Sequence, residues 1–467
     1  MNVINFNGDY WGTRLDDGDP SEDVLRIADA LGQLIHEVNP EGNVLIGYDT
    51  RPLSAPIARE MGEVIAGHGI RARVSDSYCP AGVLADAVRL DPEAAAGVML
   101  TAGNRPGDYF GLRIRMADGS AATSAETDVL EDLIVPELPS ARGEVEMVDL
   151  MAPTLSQYAS FVGGEAIAKA APLIVCDPMH GALSSYASRL LGGLGARVIE
   201  IHQGEKPDFG GLHPVAAEPW IDDCEQAVID EGAAFGFALD GAGERLALID
   251  EKGNLVSSHK MLALVMRYLV SERGLTGRMC SPVFMSSLIR RQAAALDMQL
   301  TMTPAGYAWM RDEMLAGDVV CAGDALGGVG IPALGLERNA LGTAAVLADL
   351  IARDGRPLSQ ISQSLEDELG HMEYGRRDVR MGAGDIQMLR NLLPGINPGS
   401  MAGLEPVSVS HSQDSMRAEF EGDAWVLIRP SRNNPMARVY AEAQTKALRD
   451  ELLDAAANLA TNPLAMN

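Results

Sequence analysis

AAGVMLTAGNRPGDYFGLRI, residues 95–114, decides how this chain is to be read. An apolar run ends at Thr101, a loop carries Gly103, Pro106 and Gly107, and a second apolar run opens at Tyr109. Short apolar runs bounded by turn residues predict buried strands. In open α/β domains the carboxyl ends of strands are where ligands are held. Taken alone, the stretch is equally an ordinary connection between two strands.

Outward from it, the same rhythm repeats. NVLIGYD (43–49) predicts a strand, and Ile57, Met61, Val64 and Ile65 put one apolar face on a helix over 54–66. RARVS reads as strand and VLADAVRL as helix. The β-α-β pattern returns at PLIVCD (172–177), ARVIEIH (196–202), FGFALD (235–240), LTMTP (300–304) and DVVCAGD (318–324). Such alternation predicts mixed, largely parallel sheets wrapped by helices. From about residue 372 the pattern changes: PVSVSH, MRAEFEG, AWVLIRPS and MARVYAEA are closely spaced strands, followed by a helix from about Thr445. Breaks at LPSARGEVE, after the KGN turn and near 372 divide the chain into 1–145, 146–257, 258–371 and 372–467. The expected fold is α/β, with three similar mixed α/β domains and a C-terminal α+β domain.

Composition narrows the partners. With 37 Lys plus Arg against 65 Asp plus Glu, the formal charge is −28. That balance repels nucleic acid and anionic membrane at long range, while leaving room for a local basic site. The five cysteines are odd in number, dispersed and without a CxxC pair, so they read as reduced core thiols. The start, MNVINFNGDYW, lacks the basic and apolar regions of a signal peptide. No apolar run approaches the roughly 20 residues of a membrane helix. A cytoplasmic protein is expected.

Three further strand ends carry unusual residues. In LDGAGER (239–245), Asp240 and Glu244 lie four apart on a glycine-rich loop that suits a hard cation, or a tight hairpin with polar decoration. In CAGDALGGVGIP (321–332) the glycines fit a ligand loop or simple turns. In WVLIRPSRNNPMARVY (425–440), Arg429, Ser431, Asn433 and Arg438 suit a phosphate dianion, or form the polar tip of a hairpin.

In order and spacing these loops resemble, nearly end to end, the α-D-phosphohexomutases: phosphomannomutase, phosphoglucomutase and phosphoglucosamine mutase. GYDTR (47–51) matches the family's G-x-D-T-R, and TAGNRPGDYFGLR its T-A-S-H-N-P-x-x-Y-N-G-x-K loop. LDGAGER matches the metal loop D-G-D-G-D-R, AGDALGG the sugar loop G-E-x-S-G-H, and RPSRNNPMARVY the phosphate segment R-x-S-G/N-T-x-P. FGG–HP at 209–214 and TPAG at 303–306 add to the match. The resemblance implies four domains around one central cleft, each lending a loop. It also implies a phosphoserine that exchanges its phosphoryl group with a hexose phosphate, and Mg2+ held by three aspartates beside that serine.

Position by position, the chain departs from this pattern at its centre. Gly103 stands at the serine, with Asn104 and Arg105 following it and Arg113 at the family's lysine. Asp240 keeps the first metal position, while Ala242 and Glu244 replace the second and third aspartates. In the sugar loop Asp324, Leu326 and Gly328 stand for Glu, Ser and His. Arg429, Ser431, Pro435 and Arg438 keep the phosphate segment, whereas Arg432 and the Asn433–Asn434 pair depart from it. Asp240, Glu244 and Arg105 together predict a mildly acidic pocket without Mg2+, with Arg105 either in the cation's place beside the two acids or simply pointing to solvent. No cofactor is expected. Thr101 is the one substitute nucleophile within the loop, and using it would distort the turn.

The reading is a phosphohexomutase-like protein of carbohydrate metabolism that binds a phosphosugar, or a protein partner, without normal mutase activity. Two alternatives stand beside it. One is an active intramolecular phosphotransferase with altered groups; the other is a scaffold or regulatory subunit with a vestigial cleft.

Overall fold

In the computed structural model, residues 4–206, 208–412, 414–431 and 434–463 are described. They form two compact units, one of residues 1–268, 320–322 and 326–361, the other of 269–319, 323–325 and 362–467.

The first unit opens with a six-stranded sheet. Its order is Tyr10–Arg14, Tyr109–Met116, Ala94–Leu100, Asn43–Tyr48, Arg71–Ser75 and Val145–Val148. The last four strands run parallel, and the first two join antiparallel at one edge. Apolar runs explain the parallel centre, since strands covered on both faces need no polar alternation. Val44, Ile46 and Val98 are wholly buried. They pack against Ile57, Met61, Val64 and Ile65 of the helix Ser54–Gly67 and against the helix Ser21–Val38. This topology brings the carboxyl ends of Asn43–Tyr48 and Ala94–Leu100 side by side, so GYDTR meets the Gly103 loop.

A second, five-stranded sheet follows, in the order Leu255–Val256, Leu246–Asp250, Phe235–Leu239, Leu173–Asp177 and Arg197–Glu200. Phe235–Leu239 pairs antiparallel with Leu246–Asp250, starting at Leu239↔Leu246. Residues 240–245 are therefore the tip of a hairpin whose strands are buried throughout. Leu246 N–H donates to the Gly327 carbonyl (3.1 Å), and Arg245 bridges to Gly328. At Gly327, φ is +84° and a Cβ would lie 2.3 Å from the Leu246 carbonyl oxygen. The AGDALGG glycine is thus required by close backbone approach.

In the second unit, Arg278–Pro282 and Gln299–Thr303 pair in parallel. The C-terminal sheet is antiparallel, in the order Glu373–Arg380, Met436–Ala443, Trp425–Pro430, Met416–Glu419 and Ser408–His411. The helix Lys446–Thr461 covers it, capped by Thr445 accepting from Leu448 N–H. Two of its elements were not expected: the strand Glu373–Arg380 and the helix Ala383–Leu392. EYGRRDVR lies at the sheet edge and is largely exposed, so it lacks the apolar run that marks a strand in sequence.

All five cysteines are buried, and none forms a disulfide among the described residues. Among the described residues, no helix is long and apolar enough to cross a membrane.

Candidate functional site

The Gly103 loop is shaped by one buried arginine. Asp49, Thr50 and Arg51 follow the strand Asn43–Tyr48 and are almost wholly buried. Asp49 Oδ1 accepts from Arg51 N–H (3.0 Å) and the Ser54 hydroxyl (3.2 Å), and Oδ2 accepts from Arg51 Nε (3.2 Å). The remaining guanidinium donors reach four loop carbonyls: Gly103 (2.8 Å), Arg105 (2.6 Å), Pro106 (2.7 Å) and Tyr109 (2.9 Å). A guanidinium carries five N–H donors in a fixed plane, and here each has a target. The Phe209 ring covers it at 5.0 Å. His213 Nε2 lies 3.0 Å from the Asn104 carbonyl oxygen, so the FGG–HP segment also touches the loop.

Gly103 sits at φ +63°, and a Cβ built there has no atom within 4 Å. Its N–H donates to Thr101 Oγ1 (3.0 Å). Thr101 is 2% exposed, so the only hydroxyl close by in sequence is buried and engaged.

Of the two places open to Arg105, the cation's place beside the acids is not the one it takes. Its guanidinium lies over the rings of Tyr10 (4.7 Å) and Tyr109 (5.4 Å) and donates to the Tyr10 hydroxyl (3.0 Å), away from the two acids. Aromatic faces attract a guanidinium, and the loop carries it outward to them. Other cations meet the acids. Asp240 is wholly buried; its Oδ1 accepts from the N–H groups of Glu244 (2.7 Å) and Arg245 (3.2 Å), and its Oδ2 faces Arg245 Nη1 (3.3 Å). Glu244 Oε2 is 3.0 Å from Arg338 Nη1 and 3.8 Å from Arg245 Nη1. Burial pushes the Asp240 carboxyl above its usual range, against the pull of Arg245. Burial also disfavours ionised Glu244, but Arg338, Arg245, Arg113 and Arg115 outweigh it and hold Glu244 below the usual range.

Arg113 is committed to Asp9, both of whose oxygens lie 3.1 Å from Nη1. Arg115 lies between Asp9 (3.9 Å) and Glu337 (3.7 Å). The acids expected from sequence are thus matched by other cations: four carboxylates, Asp9, Asp240, Glu244 and Glu337, stand among four guanidiniums, Arg113, Arg115, Arg245 and Arg338.

In the second unit, Arg429 and Arg438 are opposed across the hairpin of Trp425–Pro430 and Met436–Ala443. Both Nε atoms are buried without a hydrogen-bond partner among the described residues. Arg429 Nη2 is 3.8 Å from Asp414, and Arg438 Nε is 4.0 Å from Asp378, whose oxygens Arg376 already holds at 2.9 and 2.7 Å. Ser431 is buried, and its carbonyl accepts from Arg390 Nη2 (2.5 Å). Buried donors without acceptors beside a backbone turn suit an incoming anion. Asp324 is 9% exposed at the end of the strand Val319–Gly323. Asn433 lies outside the described residues.

Of the residues singled out from sequence, Gly103, Asn104, Arg113, Asp240 and Glu244 fall in the first unit, and Asp324, Arg429, Ser431 and Arg438 in the second. Sequence reading gave no role to Arg51, though it stands in the quoted GYDTR stretch, nor to Tyr10, Asp9, Arg115, Arg338 and Arg390. Arg51 carried a signal, an arginine two places after an aspartate at a strand end; Arg338 carried none.

Family models described as phosphoglucomutase/phosphomannomutase, alpha/beta/alpha domains I, II and III, match residues 16–137, 155–253 and 257–369, and the C-terminal domain model matches 398–459. The chain is 26% identical to the phosphoglucomutase/phosphomannomutase of Thermococcus kodakarensis over 77% of each chain. It is also 26% identical to the phosphoglucosamine mutase of Xanthomonas campestris over 95% of this chain and 97% of that one. Among solved structures, a Thermus thermophilus protein described as a phosphomannomutase superposes with TM-score 0.83 at 26% identity, covering 98% of this chain and 99% of that one. A phosphoglucomutase/phosphomannomutase family protein of Burkholderia thailandensis gives 0.80 at 19% identity, covering 98% of each.

Arg51→Lys will loosen the Gly103 loop without unfolding the sheet, because an ammonium group cannot span four carbonyls and an aspartate at once. Hydrogen exchange of the amides over residues 103–110 will rise at least tenfold, while those of 96–100 stay protected. Unchanged exchange over 103–110 would show that the loop holds its shape without the guanidinium.

Proposed function

Because the chain belongs to the α-D-phosphohexomutase superfamily, we propose that it binds a hexose phosphate while lacking the family's mutase activity. The observation that carries the reading is Gly103. Glycine has no oxygen to accept a phosphoryl group, and a nucleophile is the one element of covalent transfer that nothing else replaces. Thr101 Oγ1 is buried and accepts from the Gly103 N–H, which leaves it poorly placed for in-line attack.

The donor set does not fit Mg2+ either. One solved neighbour, an N-acetylphosphoglucosamine mutase of Aspergillus fumigatus, was determined with GlcNAc-6P and magnesium. Here Asp240 gives one oxygen to two backbone N–H groups and the other to Arg245, and Glu244 turns Oε2 to two arginines. Ala242 supplies no oxygen. Mg2+ demands near-octahedral oxygen coordination, and guanidiniums near those carboxylates would repel it. The arginines neutralise the acids permanently.

Binding rests on the second unit. A phosphate dianion docked on Arg429, Arg438 and the Ser431 hydroxyl would give the two orphaned Nε donors their acceptors. Asp324 is a candidate for a sugar hydroxyl. The retention of this loop favours a ligand-binding protein over a scaffold with a vestigial site, and the missing nucleophile disfavours an active phosphotransferase.

Two outcomes test the reading. With glucose 1-phosphate in a calorimeter, Arg429→Ala will weaken binding by roughly tenfold or more, as expected for the loss of charge-assisted hydrogen bonds each worth about 1.5–3 kcal/mol. Equal affinity in wild type and variant would point to a vestigial site. Gly103→Ser will remain at background in a mutase assay with glucose 1-phosphate or mannose 1-phosphate and a bisphosphate activator. The hydroxyl would lack a metal to stabilise the transferring group, a deficit of several kcal/mol in the barrier where about 1.4 kcal/mol is a factor of ten. Turnover in that single variant would show that the remaining groups are competent.

A further inference from the structure

We infer that Phe284, just after the strand Arg278–Pro282, is a positioning residue for anion binding: its ring is the shelf on which the Arg429 guanidinium is held ready for a phosphate. The inference rests on the reading of Arg429 and Arg438 as the phosphate site and says what aims the first of them.

The register of the C-terminal sheet supplies the first observation. Side chains alternate between faces along a strand. Trp425, Leu427 and Arg429 therefore share one face with their partners Glu442, Tyr440 and Arg438, in three successive layers. The opposite face, with Val426 and Ile428, belongs to the core under the helix Lys446–Thr461. Residues 283–287 cover the first two layers. At Trp425 and Glu442, the wholly buried Glu442 carboxylate accepts from the Ser286 and Ser287 hydroxyls, from Ser287 N–H (2.8 Å) and from Trp425 Nε1 (2.7 Å). At Leu427 and Tyr440, the Phe284 ring stacks on Tyr440 with centroids 4.9 Å apart and 14° between the planes. Its carbonyl accepts from the Tyr374 hydroxyl (3.0 Å), and that of Val283 from Arg417 Nη1 (2.8 Å). The ring is thus fixed on both sides, and its face lies 5.9 Å from the guanidinium carbon of Arg429 in the third layer.

The second observation is the charge in that layer. Like charges directly opposite on a sheet repel, and Arg429 opposes Arg438. Their nearest acids stand off, Asp414 at 3.8 Å from Arg429 and Asp378 at 4.0 Å from Arg438, and both Nε atoms are buried without an acceptor among the described residues. Beyond Asp414, the contact that holds Arg429 is the Phe284 face. An aromatic face attracts a guanidinium without using up its N–H donors. Arg429 therefore keeps those donors for a dianion while its side chain is already ordered, which lowers the entropy lost on binding.

Calorimetry of the full chain with glucose 1-phosphate tests this on wild type, Phe284→Leu, Phe284→Met, Phe284→Tyr, Arg429→Ala and the double variant Phe284→Leu with Arg429→Ala. Phe284→Leu will weaken binding about threefold to tenfold, the cost of ordering a side chain that the ring no longer holds. Phe284→Met, which fills the space without an aromatic face, will do the same, and Phe284→Tyr will bind as wild type. Added to Arg429→Ala, Phe284→Leu will bring no further loss, whereas a residue that only supports the fold would weaken both backgrounds alike. Wild-type affinity in Phe284→Leu and Phe284→Met overturns the inference, as does an equal loss in both backgrounds or a Phe284→Tyr variant no better than Phe284→Leu. If wild type binds no glucose 1-phosphate, the phosphosugar reading fails, and crystal structures of ligand-free wild type and Phe284→Met decide the positioning alone. An Arg429 guanidinium over the ring in wild type and displaced or spread over several conformers in the variant upholds it; one that keeps its place in the variant overturns it.

Discussion

The guanidinium of Arg51 is the constraint on which the first unit's chemistry depends. It is buried, fixed by Asp49, covered by Phe209 and bonded to four carbonyls of one loop. A buried Arg–Asp pair contributes little net stability, because desolvating both charges offsets their attraction. Its effect is on shape: with every donor committed, the loop from Gly103 to Tyr109 has one low-energy path. That path sets Gly103 in the left-handed region, carries Arg105 outward to the tyrosines, and presents the Asn104 carbonyl to His213. The loop thus keeps the frame of a catalytic turn while lacking its reacting atom.

Around this frame guanidiniums stand beside the acids that a metal-dependent site would turn toward an ion. A divalent ion gathers carboxylates and leaves an open coordination position for the transferring group. Arg245 and Arg338 gather Asp240 and Glu244 instead, but a guanidinium has no position to open and lowers no barrier as a Lewis acid would. Such pairs are durable, because the cation is covalently part of the chain. Loss of the nucleophile and loss of the cation site are therefore consistent with each other, and binding in place of transfer is the function this arrangement favours.

The fold was legible in the sequence because its signals are local. Apolar runs over 43–48, 94–100, 173–177 and 235–239 mark buried strands whatever surrounds them, and the helical face of Ile57, Met61, Val64 and Ile65 points to the core it joins. The edge strand Glu373–Arg380 was not legible, because an exposed, charged strand is made by its pairing with Met436–Ala443 and not by its own pattern. The site divides the same way. Gly103, Asp240 and Arg429 stand at recognisable strand ends. The counter-ions Arg338 and Arg115 come from distant parts of the chain, and no spacing announces that they close on Glu244 and Glu337. That is why the balance of charge is not legible from the loop residues alone: the arginines brought by tertiary structure enter it as well.

The central claim is that the Gly103 loop does not accept a phosphoryl group. Intact-mass analysis after incubation with glucose 1,6-bisphosphate and Mg2+, followed by peptide mapping, tests it most directly. The account predicts a chain of unchanged mass, with no phosphoryl group on any residue between Thr101 and Arg113. A stoichiometric gain of one phosphoryl group, mapping to Thr101 or another residue of this site, would contradict it and establish an active phosphotransferase with a relocated nucleophile.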